Sequence, residues 1–294
     1  MIKLGIYIYN EWAFGSLHNG LVKELYKNGI YAQIFDWRTV YREEDFYHLA
    51  STFDYIMTPY GESVHHLINS YGYPSNRIIS VIHSKIEIHQ GIAYELDYKS
   101  LHSIGSVNPN FCSLLGPDVN AHFTPNGIHV DYFYSPISQG LHSLGYAGRI
   151  KTLNHQGDDV KRGHLVNTVS ESVGLPLIRL DEIHFAGMPS FYRKFDCLMV
   201  SSNDDEACGL PFMEAAAAGR MVMGTNVGAL MISEGNGGCI LPMDEEGFVE
   251  GATRLISFFQ SHPDSYRQKC RAIQDYARHH YDWSHVIHRW LELF

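Results

Sequence analysis

The stretch Glu206-Ala-Cys-Gly-Leu-Pro-Phe-Met-Glu214, followed by four alanines and Gly219, is the most informative part of this chain. The run before it, Asp196-Cys-Leu-Met-Val-Ser-Ser202, is apolar between polar ends and predicts a buried strand. Pro211 suits the first turn of a helix, and Gly219 suits a helix end. The pattern predicts a strand, an acidic loop and a helix in succession.

The two glutamates of this stretch are placed to bind a ligand. Glu206 lies on the loop beyond the carboxyl end of the predicted strand, the edge at which open α/β sheets bind ligands. Glu214 lies about one turn into the helix, where we expect the helix dipole to favour an anion. An ionised carboxylate only accepts hydrogen bonds, so the pair suits a ligand rich in hydroxyl groups.

This loop resembles the E-x7-E motif of retaining glycosyltransferases of the GT4-like family (glycosyl transferases group 1). The resemblance implies an α/β protein of the GT-B fold, with two Rossmann-like domains and a cleft between them. It also implies a retaining hexosyltransferase that moves a sugar from a nucleotide-diphosphate sugar to an acceptor.

Other segments match the same family in the expected order. Thr124-Pro-Asn-Gly-Ile-His-Val-Asp131 resembles the segment that leads out of the first domain, and Leu144-Gly-Tyr-Ala-Gly-Arg149 resembles the first strand of the donor domain. Lys161-Arg-Gly163 resembles the opening of the next helix, and Tyr281-Asp-Trp283 resembles the start of the helix that crosses back. The resemblance is specific from about Pro125 onward and thin before it.

The alternation of strand-like and helix-like segments breaks once, and this break predicts the domain boundary. We expect an N-terminal, acceptor-side Rossmann-like domain over residues 1–138. The nucleotide-sugar donor domain is expected over residues 139–294, with its last helix returning to the first domain. The first domain is short for the family, which leaves its acceptor site open.

The resemblance assigns roles in donor binding on the second domain. Glu206 meets the donor sugar hydroxyls, Glu214 meets the nucleotide ribose, and the backbone amides of Gly209 and Leu210 face the sugar.

A leaving nucleoside diphosphate needs a metal or protein cations to stabilise its charge. The resemblance gives that role to Arg149 and Lys161, because a guanidinium fork and an ammonium both suit phosphate oxygens. A polar insertion, residues 151–160, separates the two and makes Lys151 a competitor for the lysine role.

Two residues of the first domain complete the predicted site. His83 ends an apolar run and resembles the strand-end histidine of the family that reaches the donor sugar. Because the chain has 18 histidines, the alternative is that His83 lies at a strand end without a functional role. Gly15 allows close backbone approach to the diphosphate, and an ordinary glycine before a helix is the alternative.

We expect neither a metal nor a cofactor, with the nucleotide-diphosphate sugar as co-substrate. The chain has no clean Asp-x-Asp motif, and the Asp204-Asp205-Glu206 run suits a solvated loop better than a metal site. Two alternatives stay open. One is a nucleotide-sugar epimerase or hydrolase of the same fold, and the other is a non-catalytic nucleotide-sugar-binding protein.

The composition of the chain limits the classes of binding partner and the cellular compartment that we expect for it. The formal net charge of −10 argues against nucleic-acid binding, and no apolar run approaches the length of a transmembrane segment. Five scattered cysteines, none in a Cys-x-x-Cys pair, favour reduced thiols and a cytoplasmic protein, with a peripheral membrane location as the alternative. The acceptor is expected to be a carbohydrate, a lipid-linked molecule or another hydroxyl compound.

Overall fold

The chain folds into two compact units. The computed structural model describes residues 1–9, 12–38, 43–116, 119, 121–148, 152–154, 156–180 and 185–294. The first unit comprises residues 1–127 together with 283–294, and the second comprises residues 128–282. The sequence placed the boundary at residue 138, eleven positions later than the end of the first stretch (138 − 127).

A six-stranded parallel sheet forms the centre of the first unit, in the order β2-β1-β3-β4-β5-β6. Its strands are β1 (Ile2–Ile8), β2 (Ile30–Asp36), β3 (Tyr55–Pro59), β4 (Ile78–Ile82), β5 (Ser103–Ser106) and β6 (Ala121–Phe123). Every residue of β4 is buried, as is usual for a central parallel strand that helices cover on both faces.

The described residues of this unit form six α-helices. They are α1 (Trp12–Lys27), α2 (Glu43–Thr52), α3 (Glu62–Asn69), α4 (Lys85–Ala93), α5 (Pro109–Leu114) and the returning helix α13 (Trp283–Leu291). The indole of Trp283 lies where a β carbon on Gly20 or Gly127 would be, so both positions need glycine. Trp290 is fully buried, and its Nε1 donates a 2.8 Å hydrogen bond to the Pro125 carbonyl.

The second unit has a five-stranded parallel sheet in the order β11-β10-β9-β7-β8. Its strands are β7 (Leu144–Tyr146), β8 (Leu177–Arg179), β9 (Cys197–Val200), β10 (Met221–Thr225) and β11 (Cys239–Leu241). The chain leaves β7 to one side to form β8 and returns to the other side to form β9. The connections on the two sides therefore diverge at the carboxyl ends of β7 and β9.

Within the described part of this unit, seven α-helices cover the sheet or flank it. They are α6 (Val130–Phe133), α7 (Gly163–Val173), α8 (Met188–Tyr192), α9 (Leu210–Ala217), α10 (Gly228–Ile232), α11 (Glu245–Ser261) and α12 (Pro263–His280). The guanidinium of buried Arg220 donates to the Tyr192 carbonyl at 3.0 Å and to Ser135 Oγ at 3.0 Å, which ties the segment before β7 to the end of α8.

The predicted α/β class with two Rossmann-like domains is confirmed by these two parallel sheets. Within the described ranges, no helix combines the length and apolar character that crossing a membrane requires.

Trp290 gives a test of how the returning helix stabilises the first unit. Trp290→Ala should lower the free energy of unfolding of this unit by about 3–5 kcal/mol, because it empties a buried site and removes the partner of the Pro125 carbonyl. The four tryptophans, Trp12, Trp37, Trp283 and Trp290, all lie in the first unit, so urea unfolding followed by tryptophan fluorescence reports on it.

Two further variants control this measurement. Trp290→Phe keeps most of the volume and should cost less than Trp290→Ala, whereas Leu114→Ala, at a side chain that is 55% exposed, should change the unfolding free energy by less than about 0.5 kcal/mol. An unchanged urea midpoint in Trp290→Ala would show that α13 does not stabilise this unit.

Candidate functional site

A pocket of about 310 Å³ opens in the second unit at the carboxyl ends of β7 and β9. Its lining includes Tyr146, Lys161, Ser202, Glu206, Gly209 and Phe212. Ligands of open α/β sheets bind at the point where the strand order reverses, because the loops there diverge and leave a crevice. The pocket occupies that point of the second sheet.

Lys161 and Glu206 form an ion pair inside this pocket. The Lys161 ammonium bonds Glu206 Oε2, and the two side chains are 30% and 12% exposed. Ser201 Oγ donates to the Lys161 carbonyl at 2.7 Å, which fixes the lysine backbone against the end of β9. The pair presents a cation and an acceptor-only carboxylate to one cavity, as a charged and hydroxylated ligand requires.

Gly209 shapes the wall of the pocket before α9. Its φ of +68° lies in the left-handed region, and a β carbon there would approach the Phe212 ring to 2.4 Å. Glycine is therefore needed at this position for two independent reasons. Leu210 begins α9 directly after it, so both residues predicted to face the sugar lie at the start of this helix.

Glu214 has a different environment from the one that the sequence predicted. Its side chain is buried, and Tyr192 Oη donates a 2.6 Å hydrogen bond to Glu214 Oε2. Burial raises the pKa of Glu214 to about 7, although the Tyr192 hydrogen bond acts in the opposite direction. Burial therefore favours the neutral carboxyl and opposes the effect that we expected from the helix dipole. Contact with the nucleotide ribose stays a prediction.

Arg149 and Lys151 lie outside the described residues, so their predicted roles stay predictions. The side chain of Arg162, which follows Lys161, binds backbone carbonyls: its guanidinium donates to the Ser201 carbonyl at 2.7 Å and to the Met243 carbonyl at 2.6 Å. Lys161 is the basic residue among the described residues that line the pocket.

His83 lies in the first unit, directly after β4, where the sequence predicted it. Its ring contacts that of buried His18 at 5.7 Å between centroids, and its backbone N–H donates to Glu87 Oε2 at 2.6 Å. Burial lowers the pKa of His83 to about 3, with a further contribution from His18. Burial also raises the pKa of Glu87 to about 8. The His83 imidazole is thus neutral at neutral pH.

Gly15 lies inside the first turn of α1, because the helix begins at Trp12. Its carbonyl accepts a 2.6 Å hydrogen bond from Asn19 Nδ2. Approach of a diphosphate to its backbone stays a prediction.

The described residues contain no group of three His, Cys, Asp or Glu side chains placed to hold a metal ion. Asp205, part of the acidic loop, instead accepts a 2.9 Å hydrogen bond from Asn154 Nδ2. No local sequence pattern indicates this contact or the Tyr192–Glu214 pair, since each joins residues far apart in the chain.

The fold is similar to that of solved GT-B glycosyltransferases. A sucrose-phosphate synthase from Thermosynechococcus elongatus superimposes with a TM-score of 0.71 at 12% identity, over 100% of this chain and 98% of that chain. The catalytic domain of starch synthase IV from Arabidopsis thaliana, bound to ADP and acarbose, gives 0.71 at 13% identity, over 99% and 98%. HepE from Anabaena, in complex with UDP, gives 0.66 at 11% identity, over 99% and 99%. The predicted GT-B fold is thus confirmed.

The family resemblance is confirmed inside the second unit. The family model for glycosyl transferases group 1 matches residues 156–257, a range that contains Lys161, Glu206 and Glu214. A comparison with functionally curated proteins gave no match. The family match and the similar structures together support a glycosyltransferase-type function.

The buried Glu214 predicts a pH dependence of stability. Its pKa is about 7 in the folded protein and near 4.5 in the unfolded chain, so the folded state binds the proton more tightly. That stabilisation is fully present below about pH 4.5 and is lost as the pH rises through about 7. Relative to Glu214→Gln, the free energy of unfolding of the wild type should fall by on the order of 2–3 kcal/mol over this range.

Urea unfolding followed by circular dichroism at several pH values measures this difference. Tyr192→Phe removes the hydrogen bond that lowers the Glu214 pKa, so it should move the fall to higher pH. A difference between wild type and Glu214→Gln that stays constant with pH would show that Glu214 remains ionised throughout.

Proposed function

We propose that this protein is a retaining, GT4-like hexosyltransferase that moves a sugar from a nucleotide-diphosphate sugar to a hydroxyl acceptor without a metal. The observation that carries the proposal is the Lys161–Glu206 ion pair, which lies in the pocket at the carboxyl ends of β7 and β9. One member suits the diphosphate and the other suits the sugar hydroxyls, so a single cavity holds groups for both halves of a nucleotide sugar.

The proposed roles follow from the charge that develops during the reaction. Departure of the nucleoside diphosphate leaves negative charge on the phosphates and positive charge on an oxocarbenium-like sugar ring. The Lys161 ammonium neutralises the phosphates, with the Arg149 guanidinium beside it by resemblance. The carboxylate of Glu206 accepts hydrogen bonds from the sugar, while the amides of Gly209 and Leu210 face it. Glu214 serves the ribose by resemblance.

Retention by front-face departure fits these residues. The leaving phosphate assists deprotonation of the acceptor hydroxyl, so the protein needs to supply no nucleophile of its own. The first unit binds the acceptor, and His83 contacts the donor sugar near the reacting centre by resemblance. Because its imidazole is neutral at neutral pH, it acts there as a hydrogen-bonding group and not as a charge.

Two other functions would leave distinct results in an assay with the nucleotide sugar. An epimerase or hydrolase would consume the donor with no dependence on added acceptor. A binding protein without catalysis would bind the nucleotide sugar and leave it intact. Transfer that requires the acceptor, with the anomeric configuration of the donor retained, would separate the proposed function from both.

Lys161 provides the first test. Lys161→Ala should weaken binding of a nucleoside diphosphate by about 10- to 100-fold, the equivalent of roughly 1.5–3 kcal/mol for a lost charge-assisted hydrogen bond. Binding of the nucleoside, which has no phosphate, should change little. Isothermal titration calorimetry with UDP, ADP and GDP and the matching nucleosides measures both effects.

The matched control is Lys194→Ala, since Lys194 is exposed and lies just before β9, at the opposite edge of the sheet. It should leave both affinities unchanged. Equal weakening of diphosphate binding in the two lysine variants would show that Lys161 does not bind the diphosphate. Loss of transfer in excess chelator, restored by a divalent ion, would contradict the metal-independent mechanism.

His83 provides the second test. His83→Ala should leave nucleoside diphosphate binding within about twofold of wild type, while the transfer rate falls by roughly 10- to 100-fold, because the contact is gained at the reacting centre. Calorimetry and a transfer assay on the same folded variant give the comparison. Transfer at the wild-type rate would show that His83 has no part in the reaction.

A further inference from the structure

The insertion between the two predicted phosphate-binding cations folds into a hairpin, which we call the inserted hairpin (residues 152–160, described except for residue 155). Leu153 and Asp159 form an antiparallel bridge, and the Val160 N–H donates to the Thr152 carbonyl at 2.7 Å. Asn154 closes the turn, because its Oδ1 accepts the N–H groups of Gln156 and Asp158, each at 2.9 Å. The described residues of the insertion therefore form a hydrogen-bonded hairpin.

One side chain ties this hairpin to the acidic loop after β9. The Oδ1 atom of Asn154 accepts hydrogen bonds within the turn, and its Nδ2 donates to Asp205 Oδ2 at 2.9 Å. The Asn203 N–H also donates to the Val160 carbonyl at 2.8 Å. The Asn154–Asp205 hydrogen bond is thus a side-chain contact, and the Asn203–Val160 hydrogen bond a backbone contact, between the hairpin and the loop.

The Asn154–Asp205 hydrogen bond lies next to the Lys161–Glu206 ion pair. Asp205 directly precedes Glu206 in the chain, and the Glu206 N–H donates to the Asn203 carbonyl at 3.2 Å within the same turn. At the other end of the hairpin, Asp159 Oδ1 accepts the Lys161 N–H at 3.1 Å. The hairpin thus holds the backbone on both sides of the Lys161–Glu206 pair, and Thr152 adds to the pocket wall.

We propose that the inserted hairpin is a donor-sugar specificity element in which Asn154 is the positioning residue for Glu206. The inference rests on the proposed function. Asn154 holds Asp205, and through it the adjacent carboxylate, at the place where the sugar hydroxyls bind. Its ligand class is the hexosyl part of a nucleotide-diphosphate sugar, and Asn154 itself touches no substrate.

The physical reason is preorganisation. A short loop that is fixed before binding loses little conformational entropy when the ligand arrives, whereas a loose loop must be ordered at that moment. Loss of the tie should therefore weaken the contact that Glu206 makes with the sugar. It should leave the diphosphate contact of Lys161 in place, because Ser201, at the end of β9 and outside the hairpin, holds the lysine backbone.

The experiment compares how much the sugar adds to affinity in each variant. Calorimetry with UDP, ADP and GDP and their hexose conjugates identifies the pair for which the sugar adds most in the wild type. Asn154→Ala should reduce that sugar contribution about tenfold, toward the value of Glu206→Gln, while the affinity for the diphosphate alone stays within about twofold. A purely structural role would lower both affinities together.

Two further variants sharpen the result. Asn236→Ala is the matched control, since the Asn236 side chain donates to the local Ser233 carbonyl, before β11. This variant should keep the full sugar contribution. Asp205→Ala leaves the Asn154 turn in place and should also reduce the sugar contribution, because it removes the Asn154–Asp205 contact. The double variant should be no worse than Asn154→Ala, since that contact is already lost there.

The outcomes separate this inference from the proposed function. A wild-type sugar contribution that survives in Asn154→Ala, or one that is absent from the wild type, would overturn the role of the hairpin. Equal weakening of diphosphate and conjugate would show that Asn154 only maintains the fold. A wild-type protein that binds none of the diphosphates would instead overturn the proposed function.

Discussion

The site of this protein depends on one topological constraint, the reversal of strand order at β7. Because β8 lies on one side of β7 and β9 on the other, the connections diverge and the carboxyl edge between β7 and β9 stays uncovered. Lys161 arrives at this gap after β7, and Glu206 arrives after β9. The cation and the carboxylate therefore meet although 45 positions separate them in the chain.

Buried polar groups give this arrangement its support. Glu214 bonds Tyr192, the Tyr192 carbonyl accepts from Arg220, and Arg220 reaches Ser135 before β7. Each group would be costly to bury without a partner, so the connected set fixes α8 against α9, whose first turn lines the pocket. The second glutamate of the motif thus has a structural role in this chain, whatever it contacts when a ligand is bound.

Local sequence patterns predicted much of the fold. The apolar run Cys197–Val200, the glycine before α9 and the proline in its first turn encode strand, loop and helix within a few neighbouring residues. Local patterns mispredicted secondary structure where tertiary packing determines it. The short run over residues 183–186 predicts a strand from its apolar residues, and this prediction is wrong in the described part, because Phe185–Gly187 forms a 3₁₀-helix. Short apolar runs fit either state, and tertiary context chooses between them.

The sequence by itself determined the α/β class, the family resemblance and the positions of Lys161, Glu206 and Glu214 on their elements. These follow from spacing and turn chemistry, which act between neighbours in the chain. Only the tertiary structure decided that Lys161 pairs with Glu206, that Glu214 is buried against Tyr192, and that Asn154 holds Asp205. Desolvation and hydrogen bonding between distant residues depend on three-dimensional proximity, and no local pattern of residues records that proximity.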